Sequence, residues 1–267
     1  MIRDILLSFI YYTRLPMPRL KEFRPDDTNR SMRFFGLVGC VVGLVCALAF
    51  LFGKLVLDPA VGVILAVAAG VLATGGFHED GFADTLDGFG GGRRERQRIL
   101  DIMKDSHIGT FGVLGLILLI LIKTVALLSL LSFDACLGNR AVLAVFVLYH
   151  TLARYSSSLV AFTSAYARRD GSGKLTPQEH KWSWKEWFGT LFFAIAATVA
   201  AMFALPDAAL WIALIPVLLL ILALIARGFF VRRIGGYTGD CLGFVEQCAE
   251  VIVILCLIVI VKFGYLC

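Results

Sequence analysis

FFGLVGCVVGLVCALAFLF, residues 34–52, holds nineteen residues and no charge. As an α-helix it rises about 28 Å, close to the hydrocarbon thickness of a bilayer. Uncharged runs of the same kind occupy residues 59–77, 187–205 and 208–226. Three further apolar segments carry isolated ionisable groups: 109–133 with Lys123, 141–166 with His150 and Arg154, and 243–263 with Glu246, Glu250 and Lys262. With 59% hydrophobic residues and a mean hydropathy of +0.83 over 267 residues, a soluble fold is excluded. The sequence predicts an all-α, polytopic integral membrane protein of about seven transmembrane helices.

The first twelve residues, MIRDILLSFIYY, place Ile2, Ile5, Leu6, Phe9 and Ile10 on one helical face. The apolar part is too short to span and no small-residue cleavage site follows, which reads as an interfacial helix rather than a signal peptide. The cysteines at 40, 46, 136, 241, 248, 256 and 267 form no CxxC pair and are odd in number, so neither a disulfide framework nor a zinc site is expected.

Charge sets the orientation. With the amino terminus inside, twenty-one Lys and Arg fall in cytoplasmic segments, leaving Lys54, Lys123, Arg140 and Lys262 elsewhere. Topology and anionic lipid account for that excess, and nucleic acid need not be invoked. No solenoid repeat or low-complexity linker divides the chain. Residues 1–267 read as one membrane domain, with a cytoplasmic amino-terminal segment at 1–33 and a charged cytoplasmic loop at 78–108. Trp182, Trp184 and Trp187 beside Lys181 and Lys185 read as an interfacial belt.

Four polar islands converge on the cytoplasmic face: FIYYTRLPMPRL with NRSMRFFGLVG, the stretch GGFHEDGFADTLDGFGGGRRERQRILDIMKD (75–105), RYSSSLVAFTSAYARRDGSGK, and RRIGGYTGDCLGFVEQCAE. The second concentrates seven acidic and five basic residues in thirty-one positions. Asp80, Asp84 and Asp87, at i, i+4 and i+7, stack along one helical side. Their mutual repulsion and five glycines from Gly81 to Gly92 weaken that helix, and a hard divalent cation is the expected compensation. All-oxygen ligands point to magnesium or manganese, and magnesium's preference for few carboxylates plus water and phosphate suits phosphate chemistry.

Around this candidate metal set, His78 either orients a carboxylate or sits at the headgroups. Arg93, Arg94 and Arg96 follow a glycine turn and suit a pyrophosphate, or serve only as topogenic charge. Asp101 and Asp105 flank Lys104. They complete a metal site, provide a general base, or leave Asp101 and Lys104 as a surface ion pair. In GGYTGD, Gly236, Thr238 and Asp240 resemble a phosphate- or sugar-contacting turn. Glu246 and Glu250, one turn apart inside the last span, need a wet cavity or a partner, for which Arg154 is the candidate.

HEDGFADTLDGFGGGRRERQRILDIMKDSHIGTFG, the early YTRLPMP with RSMRFFGLVG, and the late GGYTGDCLGFVEQCAEV together resemble the cobalamin synthase, or adenosylcobinamide-GDP ribazoletransferase, family over nearly the whole chain. Glu79 departs from the pattern, where an apolar residue is expected, as do Tyr237 and Cys241. The resemblance implies a magnesium-dependent enzyme of the bacterial inner membrane. It would join adenosylcobinamide-GDP to alpha-ribazole or its 5'-phosphate, release GMP and yield adenosylcobalamin or its 5'-phosphate. For that reaction the residues read above take these roles: Asp80, Asp84 and Asp87 as metal ligands, Asp105 or Asp101 as base with Lys104 beside it, and substrate contacts from His78, Arg93, Arg94, Arg96, Arg154, Gly236, Thr238, Asp240 and Glu246. Association with further copies or with other corrinoid-assembly enzymes fits the same picture. A looser similarity links Asp84 to Gly88 and Asp101 to Asp105 with CDP-alcohol phosphotransferases. A transporter with an Arg154, Glu246 and Glu250 relay is the rival from another class, and it leaves the charged loop unexplained.

Overall fold

The structure is a computed structural model describing residues 1–18, 20, 27–132, 138–168 and 183–263. Its helices are α1 (Ile2–Tyr12), α2 (Asp27–Ser31), α3 (Phe35–Val56), α4 (Pro59–Thr74), α5 (Phe77–Gly91), α6 (Arg96–Ile102), α7 (Thr110–Leu131), α8 (Asn139–Thr163), α9 (Trp184–Ala204), α10 (Ala209–Ile234) and α11 (Gly239–Lys262). Among the described residues the only β-type pairing is an isolated bridge between Tyr166 and Tyr237, so the fold is all-α. Trp182, Lys181, Cys136 and Cys267 lie outside the described residues.

Five helical stretches are long and apolar enough to cross a membrane, those ending in α3, α7, α9, α10 and α11, and the pair α4 and α5 makes a sixth if it is one broken span. The protein is therefore multi-pass, but length and composition do not bear out seven spans. The shortfall is α8. At 25 residues it is long enough, yet it carries Tyr149, His150, Arg154 and three consecutive serines. It tolerates them because α3, α9, α10 and α11 surround it and bury almost its whole surface, so helices rather than lipid are its solvent. Its contact with α3 is backbone-close: a Cβ on Gly43 would lie 2.5 Å from the Phe146 carbonyl oxygen, the small-residue packing that membrane helices use.

The run at 59–77 also differs from expectation. α4 stops at Thr74 because Gly75 (φ 68) and Gly76 (φ 70) both take the left-handed conformation, which side chains disfavour. α5 then leaves at 86° to α4. From that break α5 runs alongside α11 and α7 to their first turns, where Gly81 meets Asp240 and Asp87 meets the Gly109 amide. The glycines of α5 do not unwind it, because α7 and α11 pack along it.

α1 forms, but turned from the face expected. Asp4, Leu7, Ser8, Phe9 and Tyr12 are buried, while Ile2 and Ile10 are exposed. The reason is electrostatic as much as apolar: buried Asp4 receives Arg30 at 2.8 Å and Arg33 at 3.7 Å. Arg33 also pairs with Glu186 at 2.9 Å, which brings the starts of α3 and α9 together. Trp187 stacks on Phe162 at 5.4 Å and is partly packed, whereas Trp184 stays exposed.

Candidate active site

Helix ends gather around α5. The Gly109 and Gly112 amides, at the start of α7, donate to the Asp87 carboxylate at 2.7 and 2.9 Å. Arg96 donates to the Ile234 carbonyl at 2.7 Å and the Ala167 carbonyl at 2.9 Å, tying the start of α6 to the end of α10 and the segment after α8. Tyr237 exchanges backbone bonds with Ala165 and Ala167. Three of the four polar islands thus meet around α5, at one end of the bundle.

α11 approaches α5 across a glycine: a Cβ on Gly81 would lie 3.0 Å from both the Cα and the carbonyl oxygen of Asp240. That contact sets Asp240 against the acidic side of α5. Phe82 of α5 stacks on Phe244 of α11 at 5.2 Å and fixes the register. Asp84, half-buried, is consequently pushed up to about 7, first by burial and then by the charges of Asp240, Asp80 and Asp87, with Arg168 opposing. Arg168 itself stands 3.5 Å from Asp240.

The three carboxylates proposed from the sequence are not equivalent. Asp80 is exposed, Asp84 half-buried and Asp87 buried. Asp87 spends both oxygens on α7 amides, the positive end of that helix, where an anion satisfies donors that have no partner within the helix. Among the described residues no three His, Cys, Asp or Glu side chains form a group able to hold an ion. The carboxylates that crowd Asp84 most are Asp240 and Asp80, in that order, with Asp87 behind them.

The other expected site residues separate into bonded and exposed sets. Arg93 takes a positive φ of 53, and its carbonyl accepts from Arg233, whose guanidinium lies over Phe89 at 5.7 Å and Phe229 at 5.6 Å. Arg94 and Lys104 are exposed, and Arg96 is committed to the two carbonyls above. Asp101 accepts from Gln97 at 2.9 Å, and among the described residues it makes no ion pair with Lys104. Asp105 accepts from the His107 ring nitrogen at 2.7 Å and the His107 amide at 3.0 Å, bonds that hold its carboxyl below the usual range. Gly236 lies where any Cβ would strike the Ala165 carbonyl oxygen at 2.1 Å, and Thr238 caps α11 by accepting the Cys241 amide at 3.3 Å. Both shape the turn that presents Asp240.

Behind α5, within the bundle, lies a buried ionic set. His78 Nε2 is 3.1 Å from Glu246 Oε2, and Arg154 Nη1 is 3.2 Å from Glu246 Oε1, the pairing expected from the sequence. Lys123 donates to Glu250 at 2.7 Å and to Gln247 at 2.6 Å, His150 Nδ1 meets Glu250 at 2.7 Å, and Gln247 donates to Glu79 at 3.2 Å. His78 is buried beside a carboxylate, one of α11 rather than one of the acidic motif. Arg154 and Glu246 face each other inside the protein, both buried, and Arg154 with His78, Lys123, His150 and Glu250 lines a small internal cavity. Sequence reasoning missed His107, Arg168 and Gln247. The signal available for Gln247 was its place between two intramembrane glutamates.

The fold and this site define a polytopic all-α membrane protein that carries a cluster of carboxylates and arginines across one end of its helix bundle. The profile of the cobalamin-5-phosphate synthase (CobS) family matches residues 4–258, and the chain belongs to that family. Relatives named adenosylcobinamide-GDP ribazoletransferase include one from Shewanella amazonensis, 40% identical over 258 residues that cover 96% of this chain and 94% of the relative. A second, from Shewanella frigidimarina, is 38% identical over 266 residues, covering 98% and 97%. A third, from Shewanella oneidensis, is 38% identical over 263 residues, covering 97% and 95%. No solved structure matches the chain.

Proposed function

We propose that this chain transfers the adenosylcobinamide phosphate moiety of adenosylcobinamide-GDP to alpha-ribazole or its 5'-phosphate, at the cytoplasmic face of a bacterial inner membrane with the amino terminus inside. The observation that carries the reading is the crowding of Asp84 by Asp240 and Asp80 at the open end of a chain whose full-length relatives bear that activity's name.

A magnesium ion fits these residues. They offer only oxygen donors, their charges oppose one another without it, and magnesium takes one or two protein carboxylates and leaves the rest of its shell to water and phosphate. Asp84 with one of its neighbours Asp80 and Asp240 would hold it, water and phosphate filling the remaining positions, while Asp87 holds α7. When bound, the ion supplies charge neutralisation at the diphosphate. Arg93, Arg94, Lys104 and Arg168 contribute further positive charge around the same anion.

The reaction exchanges one bond for another. A ribazole hydroxyl oxygen bonds to the cobinamide-side phosphorus, the phosphoanhydride bond breaks, and GMP leaves with the bonding electron pair. The hydroxyl proton goes to the Asp105 and His107 pair, in which the carboxylate orients the ring. His107 lies two residues and Asp105 four from Gly109, whose amide binds Asp87 one helical turn from Asp84.

The test is GMP release by purified protein in vesicles without any gradient, with and without magnesium, comparing GDP-cobinamide with a CDP-alcohol donor. Release that requires GDP-cobinamide and magnesium supports the reading. Solute movement without nucleotide release, or use of the CDP-alcohol alone, overturns it.

A further inference from the structure

α5 is held at both ends, and along its middle Gly81 and Phe82 lie against α11. Its carboxyl-terminal half is gripped by α7, whose first amides bind Asp87. Its first turn is gripped from beneath: His78 meets Glu246, and Glu79 accepts from Gln247. Asp80 and Asp84 lie between the two grips. Because Gly75 and Gly76 break the chain before α5, its direction does not follow from α4 and is set by side contacts, those of its two ends together with the packing of Gly81 and Phe82 on α11.

The lower grip is itself anchored deep in the bundle. Gln247 accepts from Lys123, which also binds Glu250, and Glu250 binds His150; Glu246 is bound by Arg154. His78, Lys123, His150, Arg154, Glu246, Gln247 and Glu250 are all buried, so the loss of one partner leaves the other's charge or dipole poorly solvated. Lys123 sits thirteen positions into α7 after Thr110, roughly 20 Å along the axis from the end that binds Asp87. One helix therefore carries both grips.

We infer that Lys123 and Gln247 are positioning residues for the acidic site: through Glu79 they set the attitude of α5, and so hold Asp80 and Asp84 against Asp240. Calling that site functional rests on the proposed reaction; the positioning itself does not.

The experiment measures amide hydrogen exchange of the full chain in nanodiscs, without substrate, together with the magnesium concentration that half-saturates GMP release. Gln247→Leu cuts the link to Glu79 without removing a charge, and Lys123→Met removes the anchor. Exchange across residues 77–91 should rise at least tenfold in either variant while α9 and α10 keep wild-type protection. The half-saturating magnesium concentration should rise severalfold, with KM for GDP-cobinamide changed less than twofold. Wild-type exchange across 77–91 in a folded Gln247→Leu protein overturns the inference, as does loss of protection spread evenly over α9 and α10. A wild-type protein that releases no GMP overturns the proposed reaction alone, since the exchange measurement still decides the positioning.

Discussion

Asp87 accepts the amide of Gly112 at 2.9 Å through one carboxylate oxygen while its other oxygen holds the Gly109 amide, so this residue of the acidic motif caps a membrane helix. Asp87→Asn keeps one acceptor and turns an NH₂ group toward an amide donor. It should lower stability by about 1–3 kcal/mol, seen as a fall of several degrees in thermal unfolding that magnesium does not restore.

Asp84→Asn should behave oppositely. Its carboxylate is disfavoured by burial and by three like charges, so the neutral amide should leave the metal-free protein at least as heat-stable as wild type. GMP release should fall by a hundredfold or more. Turnover near the wild-type rate would remove Asp84 from the metal site.

The same shift fixes a pH dependence. A carboxyl raised in the folded protein contributes stability at low pH that is lost as pH rises through about 7. Magnesium should counter that loss, so the gain in unfolding temperature on adding it should be larger at pH 8 than at pH 6. A gain that is equal at the two values contradicts the assignment.

Arg96 and Arg94 should separate in kinetics. Arg96→Gln loses bonds to the Ile234 and Ala167 carbonyls and should cost about 1–2 kcal/mol of stability with little change in KM. Arg94→Gln, at an exposed position, should leave stability alone and raise KM for GDP-cobinamide severalfold. Parallel unfolding and steady-state measurements on both variants decide between those roles.

His107→Gln should lower turnover by a hundredfold. Asp105→Asn should lower turnover by about tenfold, because the ring stays in place but loses its orienting carboxylate. Equal losses in the two, measured as steady-state GMP release, would assign the proton to Asp105 instead.

How far the sequence could be read depends on which forces are local. Uncharged stretches of spanning length and carboxylates at helical spacing are properties of short segments, so the class, the spans through α3, α7, α9, α10 and α11, and the helix that carries the acidic run could be read directly. The need for a partner to Glu246 was legible too, since an intramembrane charge cannot stand alone.

Other features depend on neighbours remote in sequence. That α8 is wrapped by protein rather than lipid, that α5 turns by 86°, that Asp87 serves α7 while Asp240 takes its place beside Asp84, and that Lys123 reaches Glu79 through Gln247 follow only from how the helices pack. Spacing along one helix states which side chains share a side. Which of them meets an amide, an ion pair or open solvent is decided by the helix laid against it, and a bilayer, being equally apolar on every side, supplies no preference of its own.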